Sequence, residues 1–174
     1  MNNLKKNKEI LIIILIIAII IFGVFYINRL NRLEEDEQLK EDVLLYFSCS
    51  GGENLQLEIR KVDSENIYMN TLKELIGGPE ESSLLKTIPD GVKVEEFTLE
   101  NTLARVSFSR ELVDNHWGGS TGERLTVYSI VNTLAQFSEI EEVQILVSGD
   151  RLVSLANHMD LTEPVKPDES IVKD

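Results

Sequence analysis

From Ile10 to Ile27 no charge interrupts the apolar run, whereas beyond Val43 short apolar stretches alternate with glycine, proline and charged punctuation. Eighteen residues at ~1.5 Å rise span ~27 Å, close to the ~30 Å of a hydrocarbon core, so residues 10–27 are expected to form one transmembrane helix. A cleaved signal peptide would have a shorter apolar region and leave through small residues. Here the exit reads Val24-Phe25-Tyr26-Ile27-Asn28-Arg29, which favours retention, with Tyr26 at interfacial level. Residues 28–42, centred on Leu33-Glu34-Glu35-Asp36-Glu37-Gln38-Leu39-Lys40, read as an acidic stalk.

The folded part is expected over 43–164. Val43 to Phe47 reads as a strand closed by Gly51-Gly52, and Leu55 to Arg60 alternates with period two. Tyr68, Leu72, Leu75 and Ile76 share one helical face, stopped by Gly77-Gly78-Pro79. Val92 to Glu100 and Leu103 to Phe108 read as a hairpin turning at Asn101, with Ala104, Val106 and Phe108 inward. Ser120-Thr121-Gly122-Glu123 fits a capping box before a second helix. That helix presents Val127, Tyr128, Ile130, Val131, Leu134, Ala135 and Phe137 on one side and Thr126, Ser129, Asn132, Thr133 and Gln136 on the other. Val143 to Val147 is a further strand, Ser148-Gly149-Asp150 a turn, and Leu152 to Ala156 a return strand. Residues 165–174 lose periodicity and read as a tail. The order predicts an α+β fold: a small mixed β-sheet with two main helices packed on one face, preceded by the transmembrane helix.

Charge sharpens this picture. Residues 1–33 carry Lys5, Lys6, Lys8, Arg29 and Arg32 against Glu9, so a total of −13 leaves −17 on the rest. Such a domain is repelled by phosphate, which argues against nucleic acid and favours basic, neutral or protein partners. Lysines before the helix outnumber arginines after it, placing residues 1–9 in the cytoplasm and the domain outside; a reversed anchor is the alternative. The single Cys49 excludes an intramolecular disulfide and a zinc site of several thiolates, and reads as a small inert residue ending a strand.

Five segments, taken in order, resemble the GerMN domain of sporulation and spore-germination proteins. They are Leu72-Lys73-Glu74-Leu75-Ile76-Gly77-Gly78-Pro79, Ile88-Pro89-Asp90-Gly91, Ala104-Arg105-Val106-Ser107-Phe108-Ser109, Tyr128 through Phe137, and Val143 through Gly149. The resemblance implies an extracytoplasmic, membrane-associated domain of Gram-positive spore formers, similar in fold to the ring-building modules of secretion assemblies. It implies action by protein interaction or self-association, with no catalytic residues carried over. Family members are often lipoproteins and some carry two copies, whereas here a helix is the expected anchor and the domain is single.

Candidate chemistry gathers around Asp114-Asn115-His116-Trp117-Gly118-Gly119-Ser120. Its carboxylate, imidazole and hydroxyl are the ingredients of a hydrolase acting on peptidoglycan, but Ser120 is explained by capping. His116 and His158, each two residues from an aspartate, Asp114 and Asp160, could be drawn as a metal site, yet no spacing brings them together. Gly118-Gly119-Ser120-Thr121-Gly122-Glu123 lacks the Gly-Lys-Ser/Thr ending of a nucleotide loop. A glycan-binding cleft would need more aromatics than the 6% present. No catalytic centre, cofactor or metal is therefore expected, and Trp117 with His116 is the candidate interaction site.

Overall fold

The computed structural model describes residues 19–29, 32 and 39–173. The chain divides into two units, Met1–Lys40 and Glu41–Asp174. In the first, residues 19–29 are helical, with Phe22, Phe25 and Ile27 exposed. Among the described residues no helix is long and apolar enough to cross a membrane. Residues 10–18 of the expected span and most of the stalk lie outside the described residues.

The second unit begins with β1 (Lys40–Cys49) and β2 (Leu55–Asp63), joined by a five-residue turn too short for anything but antiparallel pairing. β3 (Leu84–Leu85) pairs antiparallel with the end of β1, placing Ser48 opposite Leu85. The resulting sheet has the order β2-β1-β3. A second sheet is built from β4 (Val94–Glu100), β5 (Leu103–Phe108), β6 (Glu142–Val147) and β7 (Asp150–Arg151), in that order. β4 and β5 form the expected hairpin, turned by Asn101 at φ 55°. A register shift between Val94 and Glu96 lets Val94 share the core-facing side with Phe97 and Leu99 despite the odd spacing. β6 runs parallel to β5, so a helical crossover must connect them.

That crossover is α3 (Ser120–Ala135), preceded by the single turn α2 (Glu111–Asp114); α1 (Ile67–Gly77) follows β2. The α+β class holds, but the expected single sheet with helices on one face does not. There are two sheets, and the helices touch both: α1 packs on β2 and β4, while α3 packs on β6 and bonds the backbone of β1. Val43, Leu45, Phe47, Val106, Phe108, Ile130, Leu134 and Ile145 therefore belong to one buried cluster. At ~25 cal/mol per Å² of apolar surface removed from water, this cluster is the main source of stability.

The expected polar face of α3 is also buried. Thr126, Ser129, Asn132 and Thr133 are nearly inaccessible; Ser129 Oγ donates to the Thr126 carbonyl of the same helix, and the other three bond backbone of other segments. The Leu44 N–H donates to Gln136 Oε1 at 2.7 Å, and Gln136 Nε2 donates back to the Leu44 carbonyl at 2.8 Å. Thr133 Oγ1 accepts from the Tyr46 N–H at 3.2 Å. These groups lie on the β3 side of β1 beyond the two residues that β3 covers, so α3 and its C-cap continue that edge. Asn132 does the same for residues 165–173: its Nδ2 donates to the Asp168 carbonyl and its Oδ1 accepts from the Asp168 N–H. This stretch also pairs Val165 with Val143, buries Ile171, and sets Val172 beside Leu55.

Two further contacts fix α1. Its Tyr68 ring stacks on Phe97 at 4.7 Å and meets Phe137 edge-on at 5.0 Å. The Tyr68 hydroxyl donates to Glu139, which pushes its pKa up to about 12. At the other end the chain leaves through Gly78, whose φ of +92° strains any L residue; an added Cβ would lie 2.6 Å from Lys86 Cε, so the lysine side chain would have to move.

Candidate interaction site

The loop carrying Trp117 is locked at both ends. It leaves α2 with the Asn115 N–H on the Glu111 carbonyl and the His116 N–H on the Val113 carbonyl, while Asn115 Nδ2 donates to the Asp90 carbonyl at 2.8 Å. It then passes through Gly118 and Gly119, both left-handed at φ +77° and +79°, a succession that L side chains resist. His116 Nδ1 accepts the Gly118 N–H at 3.0 Å, so the imidazole proton resides on Nε2. Nε2 lies 3.2 Å from Thr126 Oγ1, whose own hydrogen goes to the Thr87 carbonyl at 2.6 Å. Burial lowers the His116 pKa, with the Glu123 charge opposing it in smaller measure. The ring is therefore neutral near pH 7, and both of its nitrogens hold the loop.

Trp117 projects from this frame with 58% of its surface exposed, its indole 5.9 Å from the imidazole and tilted by 53°. A rigid loop presenting a large aromatic side chain to solvent has the form of an interface anchor.

The hydrolase ingredients do not converge. Asp114 pairs with Arg110 instead of orienting His116, and His116 faces Thr126 instead of Ser120. The expected capping box is absent too: Gly119 is the N-cap, no side chain caps the helix, and Ser120 is its first residue. Glu123 is instead wholly buried and turned toward the distant loop 152–158. Its carboxylate accepts from Ser154 Oγ at 2.5 Å and from the N–H groups of Leu155 and His158, each at 2.8 Å. Burial alone would raise the Glu123 pKa, but these bonds outweigh it and hold the carboxyl below its usual range. The expected return strand over Leu152 to Ala156 is consequently a loop wrapped around a carboxylate, with β7 ending at Arg151. Val153, on this loop, is 71% exposed. Trp117 and Val153 are thus held by neighbouring turns of α3, one through Thr126 and the other through Glu123.

Of the two histidines, His116 is engaged as described, while His158 is engaged through its backbone N–H. Among the described residues no three His, Cys, Asp or Glu side chains are placed to hold a metal ion. Cys49 ends β1 as expected and is half-buried; the Gly51 N–H holds its thiol below the usual range against a smaller effect of burial, helped by Asn54, Glu53 and the Lys173 charge. A second polar cluster was not legible in the pattern at all. Arg60 Nε donates to Glu58 at 2.7 Å, Nη1 to Glu74 at 2.9 Å and Nη2 to the Gly78 carbonyl at 2.7 Å, with the guanidinium 5.8 Å from the Phe47 ring centre. Glu58 also accepts the Glu80 and Glu81 N–H groups, so this cluster fastens the turn after α1 to β2.

The architecture, two sheets linked through shared helices with loops fixed by buried polar side chains, defines a small α+β domain. Residues 44–153 match the family described as Germane, sporulation and spore germination, and the chain belongs to that family. Three solved structures are similar. A Clostridium perfringens protein described as a lipoprotein is 25% identical, with a TM-score of 0.55 over 77% of this chain and 92% of that one. The tandem GerMN domains of the Bacillus subtilis sporulation protein GerM are 19% identical, with a TM-score of 0.60 over 74% of this chain and 45% of that one. The first GerMN domain alone is 20% identical, with a TM-score of 0.56 over 74% and 96%. No curated protein matches the chain.

Proposed function

We propose that the protein is a membrane-tethered interaction module that holds its GerMN domain outside the cytoplasm. There the domain docks onto a protein partner or a further copy during sporulation, germination or envelope assembly. The observation that carries this reading is Trp117, left 58% exposed on a loop fixed by His116 and Thr126. An unanchored aromatic can fold back onto its own surface; a side chain held outward lowers the ordering cost of a contact made elsewhere. The tether is supported by the apolar run 10–27, and an external location by the description of the Clostridium relative as a lipoprotein.

The mechanism is binding. His116 gives a hydrolase little support, since neither ring nitrogen is free to take a substrate proton. Two measurements test the reading. Protease added to intact protoplasts should remove the domain, and full protection would reverse the topology. Affinity capture from sporulating cells should retain a partner on the wild-type protein and lose it with Trp117→Ala, whereas equal capture by both would remove Trp117 from the interface.

A further inference from the structure

β2 lies at the edge of its sheet, and among the described residues its outer side is covered at its two ends. At the first, the Lys173 N–H donates to the Leu55 carbonyl at 2.7 Å, and Val172 forms a parallel bridge with Leu55. Backbone groups of a strand point to alternate sides with period two, so Leu57 and Ile59 turn their N–H and C=O groups the same way as Leu55. Among the described residues no further bridge is formed on that side of β2. At the far end, Asn70 Nδ2 occupies the Asp63 carbonyl at 3.1 Å. Between these two closures the side chains of Leu57 and Ile59 are 42% and 60% exposed. Strand edges are normally blunted by proline, bulges or charge, and two successive outward apolar residues at an edge are the opposite arrangement.

We propose that the edge of β2 at Leu57 and Ile59 is a strand-addition site for an extended, basic segment of a partner protein. The segment lies parallel to β2, continuing the line begun by Val172 and Lys173. The orientation follows from the isolated parallel bridge that Val172 already makes with Leu55 on this edge. The alternating apolar residues of the segment cover Leu57 and Ile59. Its charge follows from the surroundings: residues 34–174 carry −17, and on the β1–β2 hairpin the exposed Glu41, Asp42, Glu53 and Asp63 outnumber Lys40 and Lys61. A second copy of the chain would bring another −17 to the same edge, which disfavours it. This assignment rests on the reading of the domain as a docking module and gives it a second contact apart from Trp117.

The test uses the full chain in zwitterionic detergent, with two fluorescent octapeptides, one alternating lysine with valine and the other glutamate with valine. The lysine peptide should bind at least about tenfold more tightly, weaken as salt is added, and slow hydrogen exchange in segment 55–63 alone. Ile59→Pro removes only an outward N–H, so it should leave the melting midpoint nearly unmoved yet weaken binding by about tenfold or more. Ile59→Lys, which keeps the N–H, supplies a second variant and should weaken binding through charge. Equal binding of both peptides, protection away from 55–63, or indifference to both variants would overturn the proposal. Concentration-dependent dimerisation that Ile59→Lys abolishes would overturn it in favour of a second copy. If neither peptide binds while capture through Trp117 persists, the strand site fails and the docking function stands.

Discussion

Helix α3 and strand β2 each carry a face that runs against the amphipathic rule, in opposite senses. The side of α3 bearing Thr126, Ser129, Asn132 and Thr133 should face water and is buried, while the side of β2 bearing Leu57 and Ile59 should be covered and is exposed. On α3 and its C-cap the polar groups are consumed by backbone of other segments: Leu44, Tyr46, Thr87 and Asp168. On β2 the apolar side chains of Leu57 and Ile59 stay 42% and 60% exposed. The contrast separates two uses of a surface, since polar burial fixes loops and edges within the domain and apolar exposure leaves a place for something outside it.

Substitutions at the buried polar groups should therefore be costly to stability, and those at exposed apolar groups nearly silent. The largest effect is expected at Glu123. Glu123→Ala leaves the Leu155 and His158 N–H groups without acceptors and should lower unfolding free energy by about 4 kcal/mol in urea titration, with loop 152–158 losing exchange protection first. Next comes Arg60→Met, which leaves the Glu58 carboxylate buried without its counter-charge and should cost about 3 kcal/mol. Gln136→Ala leaves the Leu44 amide without its partner beyond the reach of β3 and should cost about 1.5 kcal/mol. Equal and negligible costs at all three positions would break the comparison.

Acid sharpens it. Glu123 and Glu58 both titrate below the ordinary carboxylate value of 4.5 in the folded chain. In Glu58, burial acts upward but is outweighed by the Glu81 N–H and by Arg60. Their contribution is whole above that pH and is lost as pH falls through the lower folded values, because the unfolded chain takes up protons first. His116, also lowered in the folded chain, adds a loss that begins as pH falls below its ordinary 6.5. Urea midpoints should decline in two stages on acidification, and His116→Gln should remove the earlier one. The smallest stability effect belongs to Trp117→Ala, under about 0.5 kcal/mol, with partner capture as the property that changes.

The strands and helices that rest on periodicity were legible before any coordinates: β2 from its alternation, α1 from Tyr68 through Ile76, the β4–β5 hairpin around Asn101, and β6. What was not legible depends on pairs far apart in sequence. Nothing near Glu123 announces that its carboxylate serves residues 31 to 35 positions away, and the local capping pattern pointed to a different role. Nor does the alternation of β2 reveal that its apolar side faces out, because period two gives two faces without saying which is covered. The division into two sheets escaped for the same reason: the crossover through α3 reads identically whichever sheet its polar side meets. At the candidate site, Trp117 and His116 were visible as residue types, but the lock that turns His116 from a catalytic candidate into a loop fastener lies in Thr126 and Gly118.

Parallel capture and wall-digestion assays on the same full-length protein test the central claim most directly. The account predicts a retained protein partner, lost with Trp117→Ala, and no solubilisation of peptidoglycan by either protein. Wall digestion that His116→Ala abolishes, with no partner retained, would contradict it.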